Sequence, residues 1–132
     1  MSERFPRSSM VRVLLADDNA RFRSLLRRLL ERDPQIQVVA EAGNGAEALE
    51  LAGEHHPDVV LMDLSMPGVD GLEATFELKS RLPQVVVLML SVADKEHEIN
   101  AALDGGASEF LSKGTPAAEI VAAIKRHGPE LD

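Results

Sequence analysis

The 132-residue sequence contains no cysteine, no excess of basic residues and no long apolar run. Without cysteine there is no disulfide framework, no thiol nucleophile and no thiolate metal site. The longest uninterrupted apolar run, VVVLML at 85–90, is far shorter than the roughly 20 residues a membrane-spanning helix needs. The N-terminal MSERFPRSSM is charged and lacks the apolar core of a signal peptide, so the expected location is the cytoplasm, with no membrane association. A net charge of −8 argues against direct nucleic-acid binding by this chain, which would favour a basic surface. It leaves room for a metal cation or a basic partner. Internal repeats, low-complexity tracts and linkers are missing as well.

What remains is the profile of one soluble globular domain, with 45% hydrophobic and 27% charged residues. Short apolar runs alternate with longer amphipathic stretches. VRVLLA (11–16), IQVVAEA (36–42), DVVLM (58–62), VVVLML (85–90) and SEFL (108–111) read as five strands. The middle three are rich in Val, Ile and Leu, which suits strands covered by helices on both faces. Between them, Phe22, Leu25, Leu26, Leu29 and Leu30 form one helical stripe, with Arg21, Arg23, Arg27 and Arg28 as a solvated face. Asn19 suits an N-cap of this first helix. Asn44 with Glu47, and Asp70 with Glu73, have the spacing of capped helix starts. Asp94 is expected to open a fourth helix with Ile99, Ala102 and Leu103 inward and Gly105 beyond its end. Thr115-Pro116 places a cap residue before a first-turn proline, opening a fifth helix with Ile120, Val121 and Ile124 inward. Five βα units predict an α/β fold, a doubly wound parallel sheet with helices on both faces.

Ligands of such sheets bind beyond the carboxyl ends of the strands. The first strand is followed by Asp17 and Asp18, the third by Asp63, the fourth by Ser91 and the fifth by Lys113. Three carboxylates within roughly 4–6 Å repel by about 3–4 kcal/mol per pair at an effective dielectric near 20, so protons or a cation must compensate. Oxygen-only donors favour Mg²⁺ or a similar hard ion such as Mn²⁺. With Lys113 as a second cation and Ser91 as a donor, the set fits phosphoryl chemistry. Asp63 stands alone on the central strand, ahead of the Pro67-Gly68 turn, and is the better candidate for a nucleophile attacking phosphorus. Taken singly, Asp17-Asp18-Asn19 reads as a capping cluster and Asp63, Ser91 and Lys113 as ordinary strand-end residues. Their joint placement reverses that reading.

LLADDN, VVLMDLSMPGVDG, LMLSV and GASEFLSKG together resemble the receiver domain of a bacterial two-component response regulator, from about Val11 to Arg126. The loop DLSMPGVDG and the segment GASEFLSK are most similar to regulators with a helix-turn-helix DNA-binding output. The resemblance implies a flavodoxin-like (βα)5 fold with strand order 2-1-3-4-5. It implies phosphorylation of Asp63 by a sensor histidine kinase, a phosphotransfer protein or a small phosphodonor. Mg²⁺ would be held directly by Asp18, Asp63 and the backbone carbonyl of Ser65, and by Asp17 through water. Ser91 and Lys113 would bind phosphoryl oxygens. Phe110 sits at the switch-aromatic position and would turn inward with Ser91, remodelling the face of the fourth helix, fifth strand and fifth helix. Phosphorylation would also promote a homodimer. The sequence departs from the family in small ways: Ser at 91 where Thr is frequent, Phe at 110 where Tyr is commoner, and Gly114 where proline is common.

The expected layout is an N-terminal extension at 1–10, a receiver at 11–127 and a tail or linker start at 128–132. The function expected is a switch controlling an output, transcription through a DNA-binding domain absent from this chain, with self-catalysed phosphorylation and dephosphorylation rather than enzymatic turnover. A stand-alone phosphorelay shuttle or protein-binding adaptor is the alternative. An aspartyl-nucleophile phosphohydrolase ranks below both, because the position two residues after Asp63 is Ser65 rather than an acid. GNGAEA matches a dinucleotide-binding fingerprint, with Asp63 twenty residues beyond Gly43. That reading leaves Asp17, Asp18, Ser91 and Lys113 unused, and a tight turn into the second helix accounts for the glycines more simply.

Overall fold

The computed structural model describes residues 10–92 and 96–131. Five strands, β1 (Val11–Ala16), β2 (Ile36–Ala42), β3 (Val59–Met62), β4 (Val86–Ser91) and β5 (Glu109–Ser112), form one parallel sheet of order β2-β1-β3-β4-β5. The helices are α1 (Ala20–Leu30), α2 (Gly45–His55), α3 (Gly71–Arg81), α4 (Glu96–Asp104) and α5 (Ala117–His127). The expected fold and strand order are both present.

Strand alternation divides the core in two. Val11, Val13 and Leu15 of β1, Val59 and Leu61 of β3, and Leu88 and Leu90 of β4 pack with Leu26 and Leu30 of α1 and Ile120 and Ile124 of α5. The intervening Leu14, Ala16, Val60, Met62, Val87 and Met89 face Ala48 and Ala52 of α2, Ala74 and Leu78 of α3, and Ala102 of α4. A period of two on strands buried from both sides demands such a double set. Edge strand β2 breaks the pattern. Ile36 and Val38 belong to the α1/α5 face and Ala40 and Ala42 to the other, because the pairing with β1 slips between Val13 and Leu14.

The caps follow the sequence for three helices. Asn19, Asn44 and Asp70 accept from the backbone N–H of Phe22, Glu47 and Glu73. The Glu47 carboxylate reaches back to the Gly43 N–H at 2.7 Å. The fifth helix differs: Pro116 is the cap residue, without a side-chain bond, and the Thr115 hydroxyl lies 3.4 Å from that of Ser112. Position 94 lies outside the described residues.

Four expected orientations are corrected. Leu25 is 52% and Leu103 41% exposed, because each lies at the edge of its helix's apolar stripe, beyond the reach of the sheet. Arg23 and Arg27 are not simply solvated. The bulge in β2 turns Glu41 toward α1, where its carboxylate accepts from Arg23 Nε at 3.0 Å and Arg27 Nη1 at 2.7 Å. Separately, His127 is half-buried, with its Nε2 2.8 Å from Glu109.

Candidate functional site

The site forms where three parallel strands end together. The Asp63 N–H donates to Ala16 O (2.9 Å), tying the end of β3 to β1, and the Asp17 N–H donates to Ala42 O (2.9 Å), tying β1 to β2. The Lys113 N–H donates to Ser91 O at 3.0 Å, which fixes the end of β5 to β4. Ladder hydrogen bonds thereby bring residues separated by as much as 96 positions to one sheet edge.

Each of Asp17, Asp18 and Asp63 offers an oxygen within 4.8 Å of the others. Asp17 and Asp63 are nearly buried, at 5% and 4% exposure, whereas Asp18 faces solvent. Asp17 is occupied on both oxygens. Oδ1 accepts from the Asn19 N–H at 2.8 Å, and Oδ2 pairs with Lys113 Nζ at 2.7 Å. The same ammonium lies 3.4 Å from Asp63 Oδ2, and Asp63 Oδ1 accepts from the Ser65 N–H at 3.3 Å. Burial, and next the charge of Asp17, push the Asp63 carboxyl above its ordinary range; Lys113 only partly opposes them. Burial works against the charge of Lys113 too, but its bond to Asp17 and the charge of Asp63 outweigh it and raise the amine.

Among the described residues, one ammonium thus pairs with two of three clustered carboxylates, all hard oxygen donors, and the donor set fits a divalent cation of the Mg²⁺ type. An acidic trio around a central strand-end Asp, with a lysine from the last strand, also suits an acceptor of phosphoryl groups.

Comparison with known proteins agrees with that chemistry. The family model for the response regulator receiver domain matches residues 13–125. The chain belongs to the response regulator receiver family. Among curated relatives, the transcriptional regulatory protein DegU of Brevibacillus brevis is 40% identical over 115 residues, 87% of this chain and 49% of that protein. LiaR of Bacillus subtilis is 40% identical over 116 residues, 88% of this chain and 55% of that protein. The receiver thus spans about half the length of the curated relatives it matches. Among solved structures, the signal receiver domain of NarL from Mycobacterium tuberculosis superimposes with a TM-score of 0.85 at 40% identity, covering 88% of this chain and 94% of that one.

The other expected residues of the receiver lie on one face of the sheet or in the loop after Asp63. Ser91 is fully buried and is the last residue of β4 rather than the first after it. By alternation it shares a side with Met89, on the α3/α4 face, and Phe110 is half-buried against that same core. Ser65 lies exposed in the loop after Asp63. Two contributors were illegible in sequence. Arg23 donates from Nη1 to the Asp17 carbonyl at 2.6 Å, and the Phe22 ring lies under the Lys113 ammonium. Both look like unremarkable members of an amphipathic helix until the fold sets α1 beside the acidic pocket. Gly45 is likewise more than a turn residue: a β-carbon there would overlap the Val69 carbonyl oxygen, so α2 starts hard against the loop after Asp63.

Proposed function

We propose that this receiver accepts a phosphoryl group on Asp63 and loses it again by hydrolysis. The observation that carries the reading is the buried Asp63 carboxylate at the end of β3, with Asp17 and Asp18 within 4.8 Å and Lys113 Nζ at 3.4 Å. An Asp63 oxygen attacks the phosphorus of a phosphohistidine or an acyl phosphate. The new P–O bond forms as the bond to the donor breaks, and the donor nitrogen or carboxylate leaves with the electron pair. Water later attacks the same phosphorus, returning the Asp63 carboxylate and inorganic phosphate.

Asp18, Asp63 and the Ser65 carbonyl would hold Mg²⁺ or Mn²⁺ directly. Asp17, with both oxygens already engaged by Asn19 and Lys113, would act through water. When bound, the ion supplies charge neutralisation for the acidic trio and the incoming phosphoryl oxygens. Lys113 exchanges its weaker contact with Asp63 for a phosphoryl oxygen, and the Ser91 hydroxyl donates to another.

Ser91 and Phe110 lie toward one face of the sheet, which supports a switch running from the phosphate through Phe110 to α4, β5 and α5. A phosphate shifts such an equilibrium only by favouring one conformation over the other. With Phe at 110, that preference rests on packing alone. The upstream partner in this reading is a sensor histidine kinase or phosphotransfer protein, and phosphorylation promotes a homodimer. The output is transcription, through a DNA-binding domain like those of longer relatives. No helix among the described residues is long and apolar enough to cross a membrane, in keeping with a cytoplasmic signalling role. The receiver unit runs over 11–127, with 1–10 and 128–132 flanking it.

Acetyl phosphate with Mg²⁺, followed by intact mass measurement, tests the reading. One added phosphoryl group is expected on the wild type and none on Asp63→Asn or after chelation. An unchanged wild-type mass, or labelling of Asp63→Asn, overturns it.

A further inference from the structure

Helix α1 contributes more to the site than the acidic residues that precede it. Phe22 lies in its first turn, half-buried, with the Lys113 Nζ 4.6 Å from its ring centroid. Four residues close a circuit around that contact. The Lys113 ammonium pairs with Asp17 Oδ2 at 2.7 Å, and Asp17 Oδ1 accepts from the Asn19 N–H at 2.8 Å. The Asn19 side chain in turn accepts from the Phe22 N–H at 3.0 Å, fixing the backbone that carries the ring.

We infer that Phe22 is a positioning residue for Lys113, its ring face holding the ammonium over the Asp63 carboxylate ready for an incoming phosphoryl oxygen. This rests on the reading of Lys113 as a phosphoryl-binding group. The physical need is specific. Lys113 carries a flexible four-carbon stem ending in a point charge, and its side chain is only 16% exposed, so water does little to orient it. Two carboxylates attract it, at 2.7 Å and 3.4 Å, and the nearer one belongs to Asp17 rather than to the acceptor Asp63. A ring face attracts the ammonium through its quadrupole but offers no lone pair. It therefore stabilises the charge without competing for the N–H that must reach the phosphoryl oxygen. A leucine at 22 would fill similar space against the α1/α5 core and lack that electrostatic face, whereas a tyrosine would keep it.

The test measures the rate of acetyl phosphate-driven phosphorylation of Phe22→Leu and Phe22→Tyr, each alone and combined with Lys113→Ala. Phe22→Leu is expected to slow the reaction about three- to thirtyfold, the span of a cation–π contact to a largely desolvated ammonium, while Phe22→Tyr stays within about twofold of wild type. In the Lys113→Ala background, Phe22→Leu should change the rate by less than about twofold, because the partner it serves is gone. Two results overturn the inference: a Phe22→Leu rate within about twofold of wild type, or an equal slowing with and without Lys113. The second would make Phe22 a packing residue alone. If Lys113→Ala itself reacts at the wild-type rate, it is the phosphoryl-binding reading of Lys113 that falls. If Phe22→Leu fails to fold by circular dichroism, Phe22→Met, also without a ring, takes its place under the same criteria.

Discussion

Gly71, the first residue of α3, packs its α-carbon against the main-chain carbonyl of Asp63 so closely that a β-carbon there would overlap the oxygen. Its N–H donates to Leu64 O at 3.0 Å, and its own carbonyl accepts from the buried Thr75 hydroxyl at 2.7 Å. The start of α3 is therefore a wall of the acidic site.

Gly71→Ala should destabilise the receiver by about 1–3 kcal/mol, the usual cost of forcing a methyl into a filled space. Because the displaced group is the Asp63 backbone, phosphorylation by acetyl phosphate should slow as well. Urea unfolding and labelling rates check both. Wild-type stability and rate would show that α3 can retreat freely from Asp63.

In Mg²⁺-free buffer at pH 7, Asp63→Asn should be more stable than wild type by about 1 kcal/mol. One bare carboxylate pair at 4.8 Å repels by about 3.5 kcal/mol at an effective dielectric of 20, and Lys113 offsets much of it. The sign follows from the raised Asp63 carboxyl. A folded-state value above the unfolded one means ionisation costs stability. The gain in Asp63→Asn should thus be absent below the unfolded value, near 3.8, and appear as pH rises through the folded one. Adding Mg²⁺ should raise the melting temperature of wild type more than that of the variant. A less stable Asp63→Asn in metal-free buffer at pH 7 would contradict this account.

Glu41→Gln should cost about 0.5–1 kcal/mol at pH 7, the range of a partly exposed ion pair. Burial alone would raise the Glu41 carboxyl, but hydrogen bonds from Arg27 and Arg23 outweigh it and hold the group below its ordinary range. A depressed carboxyl contributes stability that is present above the unfolded value and lost as pH falls through the folded one. Wild type and Glu41→Gln should therefore converge in acid. A difference independent of pH would assign the loss to packing.

His56→Gly should stabilise the fold by about 0.5–1 kcal/mol, as relief of a non-glycine left-handed cap exceeds the added chain entropy. His56 closes α2 at φ 48 and ψ 60. Its carbonyl and that of His55 accept from Arg12 Nη1 at 3.1 and 2.6 Å, contacts a glycine preserves. Thermal melting decides it, and a lower melting temperature would mean that the imidazole does more than tolerate the turn.

The five strands, the starts of three of the helices, and the acidic, hydroxyl and amine groups at the strand ends are all written in local pattern. Period-two apolar runs and Asn19, Asn44 and Asp70 act through neighbours in the chain, so they can be read there. Asp17, Asp18, Asp63 and Lys113 were legible because parallel strands deliver whatever follows them to one edge.

Sequence by itself determined the alternation of strands and helices and which side chains stand at the sheet's carboxyl edge. Tertiary structure decided which of them touch, and which residues of α1 serve them. The β2 bulge shows the physical reason. Strict alternation from Ile36 would keep Glu41 on the same side as Gln37. The slip between Val13 and Leu14 in the pairing with β1 turns it over to Arg23 and Arg27. Arg23 then reaches the Asp17 carbonyl, and Phe22 meets Lys113 from 91 positions away. A bulge and a helix's rotation against a sheet depend on how both faces fill at once, and no short stretch of chain carries that information.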